Sequence, residues 1–573
     1  MKRLITAAAA AVTAAAAIST PVLSAKDYTV SDLRDLSSAI LGSSPLKEEQ
    51  DVNNDGTINS FDLAAMRKAF APTGVFTQSS YPADEENVRF TGRNLVSDGI
   101  TWLIQSGSAV EFIVNARSAE ITLKGDSSIS NGEDYRSRYA VIVDGEIILD
   151  STMGEAEKTV SLFSGDEART ATVKVIHLSE ANNGAVGISE IKVDSDVKAP
   201  VIPAAEKELR IEFIGDSITC AYGVEGSSAY ESFKTTTENF MKSYAYLTAQ
   251  KLGADYSAVS YSGHGIISGY TSDGTKNSEA LLPPYYEQYG KQTEYSEKWD
   301  FTKAPNDVVV INLGTNDSSY ATGDHFEERA QEYCDEYEKF LETVRKNNPD
   351  AYIICTLGTM GAADLYPYIE QAVSAFKEKT GDERISSYLS AVQSADNGYG
   401  SDWHPSAVTQ QKCAYVLADK ICQVLGMDSD QIGLDVAADA QYSISIDESS
   451  GANAATYFSD YDKSFWINMV SGGSSPDSVE AVVSGIGLRK NGKYLLSFKC
   501  TTTDGTELPV IIRSADGSTV YFSDTFTAAG EKTPYEAEFT APADDSEAEF
   551  VMQIGGKDYY SVTLYELHIE KTG

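Results

Sequence analysis

A serine hydroxyl attacks an ester only when a neighbouring base removes its proton, so the five histidines of the chain are the residues to weigh first. Gly215-Asp216-Ser217-Ile218-Thr219 follows directly on the apolar run 211–214. A second Gly-Asp-Ser, Gly125-Asp126-Ser127, follows the alternating run 119–124, which reads as an exposed strand with a polar loop behind it, so context selects Ser217 over Ser127. His177 and His568 fall in strand-like segments and His325 opens a helix; these read as packing or surface residues. His404 differs. It stands in Asp402-Trp403-His404-Pro405, after the last expected strand and just before the final helix, a place that brings it toward Ser217. Asp402, two positions earlier, is placed to hold one imidazole nitrogen so that the other faces the serine.

Acyl transfer also needs donors aimed at the developing oxyanion, each worth ~3 kcal/mol. Tyr261-Ser262-Gly263-His264-Gly265 offers a backbone N–H at Gly263, where the absent side chain permits close approach. Leu313-Gly314-Thr315-Asn316-Asp317 offers the Asn316 side-chain amide. Each loop follows an expected strand.

The elements that must position these groups are legible from 209 to 425, where apolar strands at 211–214, 256–260, 308–313, 352–357 and 385–389 alternate with helices. Phe326, Ala330, Cys334, Tyr337, Leu341 and Val344 recur at steps of three and four, one buried helical stripe. Five strands joined by helices imply a parallel, doubly wound α/β sheet whose sites lie at the carboxyl ends of its strands. Residues 88–196 instead give short β-branched segments between Gly, Asn and Asp turns, as in a β-sandwich, and alternating strands return from about 428 to 573. The expected division is a signal peptide at 1–25, a helical segment at 26–71, a linker at 72–85, a β-sandwich at 86–197, a linker at 198–206, an α/β domain at 207–427 and a second β-sandwich at 428–573.

Length agrees: 573 residues exceed what one core supports. With 45 basic and 85 acidic residues, the net charge of −40 repels phosphate backbones and anionic lipid surfaces, which argues against nucleic-acid and membrane roles. Lys2 and Arg3 precede an alanine-rich apolar run over 4–18, and Leu23-Ser24-Ala25 supplies small residues for cleavage; this reads as a secretory signal and a product released outside the cytoplasm. Six cysteines without a Cys-x-x-Cys pair are too few for a disulfide scaffold and read mostly as buried thiols.

Ser217 in Gly-Asp-Ser, Gly263 in Ser-Gly-His-Gly, Asn316 in Gly-Thr-Asn-Asp and His404 in Asp-Trp-His resemble the four blocks of the SGNH (GDSL-type) hydrolases. The resemblance implies a flavodoxin-like three-layer α/β fold. The Asp-x-His spacing, with Phe90-Thr91-Gly92-Arg93, Trp102 and residues 107–112 and 139–145, is similar to carbohydrate esterase family 2, whose members carry a jelly-roll domain before the hydrolase. It implies deacetylation of acetylated xylan or glucomannan, with Ser217 as nucleophile, His404 as base, Gly263, Asn316 and the Ser217 N–H as the oxyanion hole, and Asp402 as third member, since the family's members differ in whether a carboxylate or a backbone carbonyl orients the histidine. Trp403 would offer an indole face to a sugar ring or simply pack in the core. No histidine cluster implies a catalytic metal.

Asp51, Asn53, Asp55, Asn59 and Asp62 occupy positions 1, 3, 5, 9 and 12 of a loop with Gly56 at the sharp turn and the Thr57 carbonyl at position 7, the oxygen shell calcium takes. This EF-hand-like segment resembles a dockerin repeat, which implies a cohesin partner on a cellulosome scaffold. A second repeat shifted by thirty residues would place Pro21, Leu23 and Ala25 at ligand positions, so one structural calcium and a truncated module are expected. At the C-terminus, residues 488–499 and 560–567 look like jelly-roll carbohydrate-binding modules. Trp466, Tyr457, Tyr461, Tyr521 and Tyr559 are candidate aromatics there, and none is singled out, since strand aromatics commonly pack in a core. Two other readings stand beside the carbohydrate esterase: a lipase or thioesterase on the same fold, and a non-catalytic cell-wall-binding subunit.

Overall fold

The structure, a computed structural model, describes residues 72–571 apart from 396, 428–433, 438–439, 460–463, 503–504, 529 and 531. The expected signal peptide, the dockerin-like segment with its calcium loop (Asp51, Asn53, Asp55, Thr57, Asn59, Asp62) and Tyr461 lie outside the described residues.

The centre of the molecule is a five-stranded parallel sheet of β1 (Arg210–Gly215), β2 (Asp255–Ser260), β3 (Val308–Asn312), β4 (Tyr352–Leu357) and β5 (Ile385–Leu389), in the order β2-β1-β3-β4-β5. Helices α1 (Ser217–Cys220), α2 (Tyr244–Lys251), α3 (Thr315–Tyr320), α4 (Phe326–Asn347), α5 (Tyr366–Thr380) and α6 (Ala407–Leu425) connect and flank the strands. Successive strand residues point to opposite faces, and both faces are covered. Ile214, Val309, Ile311 and Ile353 pack against α4 and α5. Ile211, Phe213, Val310 and Ile354 pack against α2 and α6. The α4 stripe is wider than its sequence period suggests, because Tyr333 and Phe340 are buried beside Ala330, Tyr337 and Leu341. In register, Gly215 lies beside Ser260 and Asn312, so the loops that follow all three strands open on one edge.

The N-terminal β-domain is one continuous ten-stranded sheet. Its strands Ala109–Gly125 and Glu157–His177 are far longer than the short segments read from sequence. Register shifts between Ala116 and Ser118 and between Ala119 and Glu120 bend the first of them, which pairs with Arg89–Thr91 and Val201–Pro203 before the bend and with Val186–Ser195 after it. Two segments expected as linkers are edge strands. Thr77–Tyr81 pairs with Val186–Ser195, and Val201–Pro203 pairs with residues 112–114; prolines belong at such edges because an edge strand can lack a donor.

Arg93 ties this domain to the α/β domain. Its guanidinium meets the Glu212 carboxylate of β1 at 2.7 Å with both side chains essentially unexposed, and it donates to the Gln288 carbonyl at 2.8 Å. Beyond α6, a six-stranded and a five-stranded antiparallel sheet share one apolar core that includes Ile467, Leu496, Val510 and Phe550. The Arg489 guanidinium lies 2.5 Å from the Asp419 carboxylate of α6 and joins this sandwich to the centre. All six cysteines are buried thiols.

Candidate active site

Ser217 is the first residue of α1, placed there by a tight turn out of β1. A side chain on Gly215 would come within 2.0 Å of Thr219 Oγ1, so the turn needs glycine. Asp216 caps the helix, its Oδ1 accepting the Ile218 N–H at 3.0 Å. The Ser217 hydroxyl lies 2.9 Å from His404 Nε2, the distance at which an imidazole accepts its proton.

The loop before α6 sets the imidazole's orientation through its backbone. Asp402 and Trp403 both adopt left-handed backbone, at φ 50° and 62°, a conformation that costs non-glycine residues ~1–3 kcal/mol. The turn points the carbonyls of Ser401 and Asp402 at His404 Nδ1, each at 3.2 Å. With Nδ1–H donating to these oxygens, the Nε2 lone pair faces the serine. Burial pushes the imidazole pKa down to about 4, so the ring is neutral at pH 7.

The Asp402 carboxylate is turned away from the imidazole and accepts the Tyr222 hydroxyl and the Phe233 N–H, each at 3.0 Å. The expectation that it holds a ring nitrogen is therefore corrected: the residue orients His404 with its carbonyl and fixes Tyr222 with its side chain. The Tyr222 ring lies against the imidazole, centroids 4.1 Å apart, and stacks on Phe233 at 4.2 Å. Nothing in the sequence marked Tyr222, which the structure places two residues past α1.

Gly263 sits at φ 76° with no atom within 4 Å of where a side chain would begin, and neither its N–H nor that of Ser217 has an acceptor among the described residues. The Asn316 amide nitrogen donates to the His264 carbonyl at 2.9 Å and to Asp216 Oδ2 at 3.2 Å, which joins three of the four sequence blocks. Asp317 braces the same region: its Oδ1 accepts the N–H groups of Ile266, Ile267 and Ser268 at 2.9, 2.7 and 3.0 Å. Burial raises Asp216 to about 7 and Asp317 to about 6. The sequence contained both carboxylates inside its motifs, yet their bracing role needed the fold.

Trp403 is 47% exposed and contacts Tyr230 and Tyr399, each with centroids 5.2 Å apart, so of its two expected settings it is not in the core. His177 is buried, its Nδ1 3.1 Å from the Ile104 carbonyl, and His325 lies 3.7 Å from Glu328 on the surface. Ser127 opens a short turn capped by Asp126 in the β-domain. A cavity of about 760 Å³, lined by Arg89, Asp255 and Trp299, lies at the opposite, amino edge of the sheet and contains none of these groups.

A serine paired with a neutral imidazole beside unclaimed N–H groups, at the carboxyl edge of a 2-1-3-4-5 sheet, defines a serine acylhydrolase site of the SGNH fold. The GDSL-like Lipase/Acylhydrolase family profile matches residues 213–412, and the Carbohydrate esterase 2 N-terminal profile matches residues 90–203. A solved family two carbohydrate esterase from Clostridium thermocellum, in complex with cellohexaose, is 32% identical, with a TM-score of 0.51 over 59% of this chain and 99% of that one. The chain belongs to carbohydrate esterase family 2.

Among curated relatives, the Cellulase/esterase CelE of Acetivibrio thermocellus is 34% identical over 427 residues, 66% of this chain and 49% of the relative, so the chain spans about half the length of that protein. An Acetylxylan esterase / glucomannan deacetylase of Cellvibrio japonicus is 26% identical over 347 residues, 60% of this chain and 90% of the relative.

Proposed function

We propose that the protein is a carbohydrate O-acetyl esterase acting on acetylated plant hemicellulose, xylan or glucomannan. The observation that carries this reading is the 2.9 Å contact from Ser217 Oγ to a His404 held neutral, with two unclaimed N–H groups alongside. Ser217 Oγ attacks the acetyl carbonyl as His404 Nε2 takes its proton. The negative oxygen is held by the Ser217 and Gly263 N–H groups and by the Asn316 amide, which yields its longer contact to Asp216. Collapse breaks the bond to the sugar oxygen, and that oxygen receives the proton from Nε2. Water, deprotonated in turn by His404, attacks the acetyl-enzyme carbonyl; the bond from the acyl carbon to Ser217 Oγ breaks, Nε2 returns the proton to Oγ, and acetate leaves.

Trp403, Tyr230 and Tyr399 form an aromatic wall beside the histidine, suited to the apolar face of a sugar ring. The relatives named for xylan and glucomannan support the substrate class. The signal-like N-terminus supports secretion, and among the described residues no helix is long and apolar enough to cross a membrane. The loop pattern at 51–62 supports one structural calcium and a dockerin-like tether to a cohesin. In the C-terminal sandwich, Trp466 and Tyr457 are cross-strand partners, 44% and 66% exposed, which supports a carbohydrate-binding module.

The test is hydrolysis of 4-nitrophenyl acetate and acetate release from acetylated xylan and glucomannan. Ser217→Ala and His404→Ala should each lower kcat by roughly ten-thousand-fold or more. Full rates in either variant would remove the assignment.

A further inference from the structure

The oxyanion loop is braced from two sides, and one brace comes from outside the α/β domain. Glu180 belongs to the N-terminal β-domain, in the turn between strands Glu157–His177 and Val186–Ser195. Its side chain is buried and crosses the domain boundary, where Oε2 accepts the Ser262 N–H at 2.7 Å and the Asn182 side-chain amide at 2.8 Å. The same oxygen lies 4.0 Å from the Cys220 sulfur of α1, the helix that opens with Ser217. Ser262 immediately precedes Gly263, whose N–H is unclaimed, so the orientation of one amide constrains the next across a single α-carbon.

The turn carrying Glu180 is itself fixed to the α/β domain. The Glu180 N–H donates to Glu238 Oε2 at 3.0 Å, and the Phe240 N–H donates to the Leu178 carbonyl at 2.9 Å. Burial pushes the Glu180 carboxyl above the usual carboxylate range; its hydrogen bonds from Ser262 and Asn182, and then the Lys291 ammonium, which also lies 3.1 Å from His264 Nε2, act against that rise. A buried carboxylate is costly unless its oxygens are used. Here the use is to hold a loop that, among the described residues, no residue of the α/β domain holds at that N–H.

We propose that Glu180 is a positioning residue for the esterase reaction, by which the N-terminal β-domain aims the Gly263 N–H at the acyl oxygen above Ser217. The proposal rests on the esterase reading and explains why the catalytic domain carries that β-domain: the donor loop is incomplete without it. Substrate itself does not touch Glu180, so the effect belongs in kcat.

The experiment is steady-state hydrolysis of 4-nitrophenyl acetate by the full chain as wild type, Ser217→Ala, Glu180→Gln, Glu180→Asp and Glu180→Ala, each melted thermally in parallel. Glutamine keeps an acceptor at the same reach and should stay within about fivefold of wild-type kcat. Aspartate falls short by one methylene and should lose about tenfold to a hundredfold in kcat with KM within about threefold, as expected for a misplaced donor. Alanine should lose at least as much; should it fail to fold, the aspartate and glutamine pair decides. The proposal falls if Glu180→Asp keeps kcat within threefold, if glutamine is as impaired as aspartate, or if kcat and KM worsen together. An inactive wild type, or an active Ser217→Ala, would instead sink the esterase reading.

Discussion

His404 receives its proton without a carboxylate against the ring, and that governs how it titrates. Burial holds its pKa at about 4, and only the neutral ring can take the serine proton. Activity therefore falls as pH drops through that value, because protonation removes the base. The expected kcat/KM profile for 4-nitrophenyl acetate has its His404 limb near pH 4, below the range near 6 to 7 in which Asp317 and Asp216 take up protons; a limb near the unperturbed ~6.5 that persists in Asp317→Asn would show that the ring is solvated. Asp402 gives a companion test. Its carboxylate serves Tyr222 and Phe233 while its carbonyl serves His404, so Asp402→Asn should keep kcat within about tenfold of wild type. A loss near ten thousandfold, typical of a triad aspartate, would mean that the carboxylate reaches the imidazole during turnover.

At the scale of elements, the turns after β1, β2 and β3 form one braced unit through Asp216, Asn316 and Asp317, and the β-domain is bolted to the back of β1 by Arg93. That guanidinium and Glu212 are both buried, at 0% and 1% exposure, so removing one partner strands the other's charge. Arg93→Ala should lower stability by about 3–5 kcal/mol, read as a lower denaturation midpoint in urea. A change under ~1 kcal/mol would show that the pair is solvated. The strand and helix order of this region was legible in the sequence because buried parallel strands read as apolar runs and α4 repeats its stripe. The lengths of the β-domain strands were not. A bulge shifts the alternation partway, so Ala109–Gly125 reads as two short segments, and edge strands such as Thr77–Tyr81 lack the apolar pattern that would separate them from a linker.

For the whole molecule, the carbohydrate-binding role proposed for the C-terminal sandwich has its own test: the net charge of −40 and the exposed Trp466–Tyr457 pair suit a neutral polymer better than an anionic one. In affinity gels containing soluble xylan or glucomannan, the full chain should be retarded. Trp466→Ala should lose much of that retardation while hydrolysing 4-nitrophenyl acetate within about twofold of wild type. Unretarded migration in every polysaccharide would leave the sandwich as a spacer, and calorimetric titration of the same chain should give one calcium site.

The sequence by itself determined that Ser217, His404 and the loops at Gly263 and Asn316 meet, because each is a short block near the end of an apolar strand and strand ends share one edge of a parallel sheet. It also determined the change from β to α/β and back. Only the tertiary structure decided what orients these groups. Two carbonyls turned by left-handed backbone at Asp402 and Trp403, the Tyr222 ring against the imidazole, and Glu180 reaching in from another domain are relations between chain segments far apart in order. Side-chain spacing along the chain carries no record of such contacts, since they arise only when separately folded layers pack together.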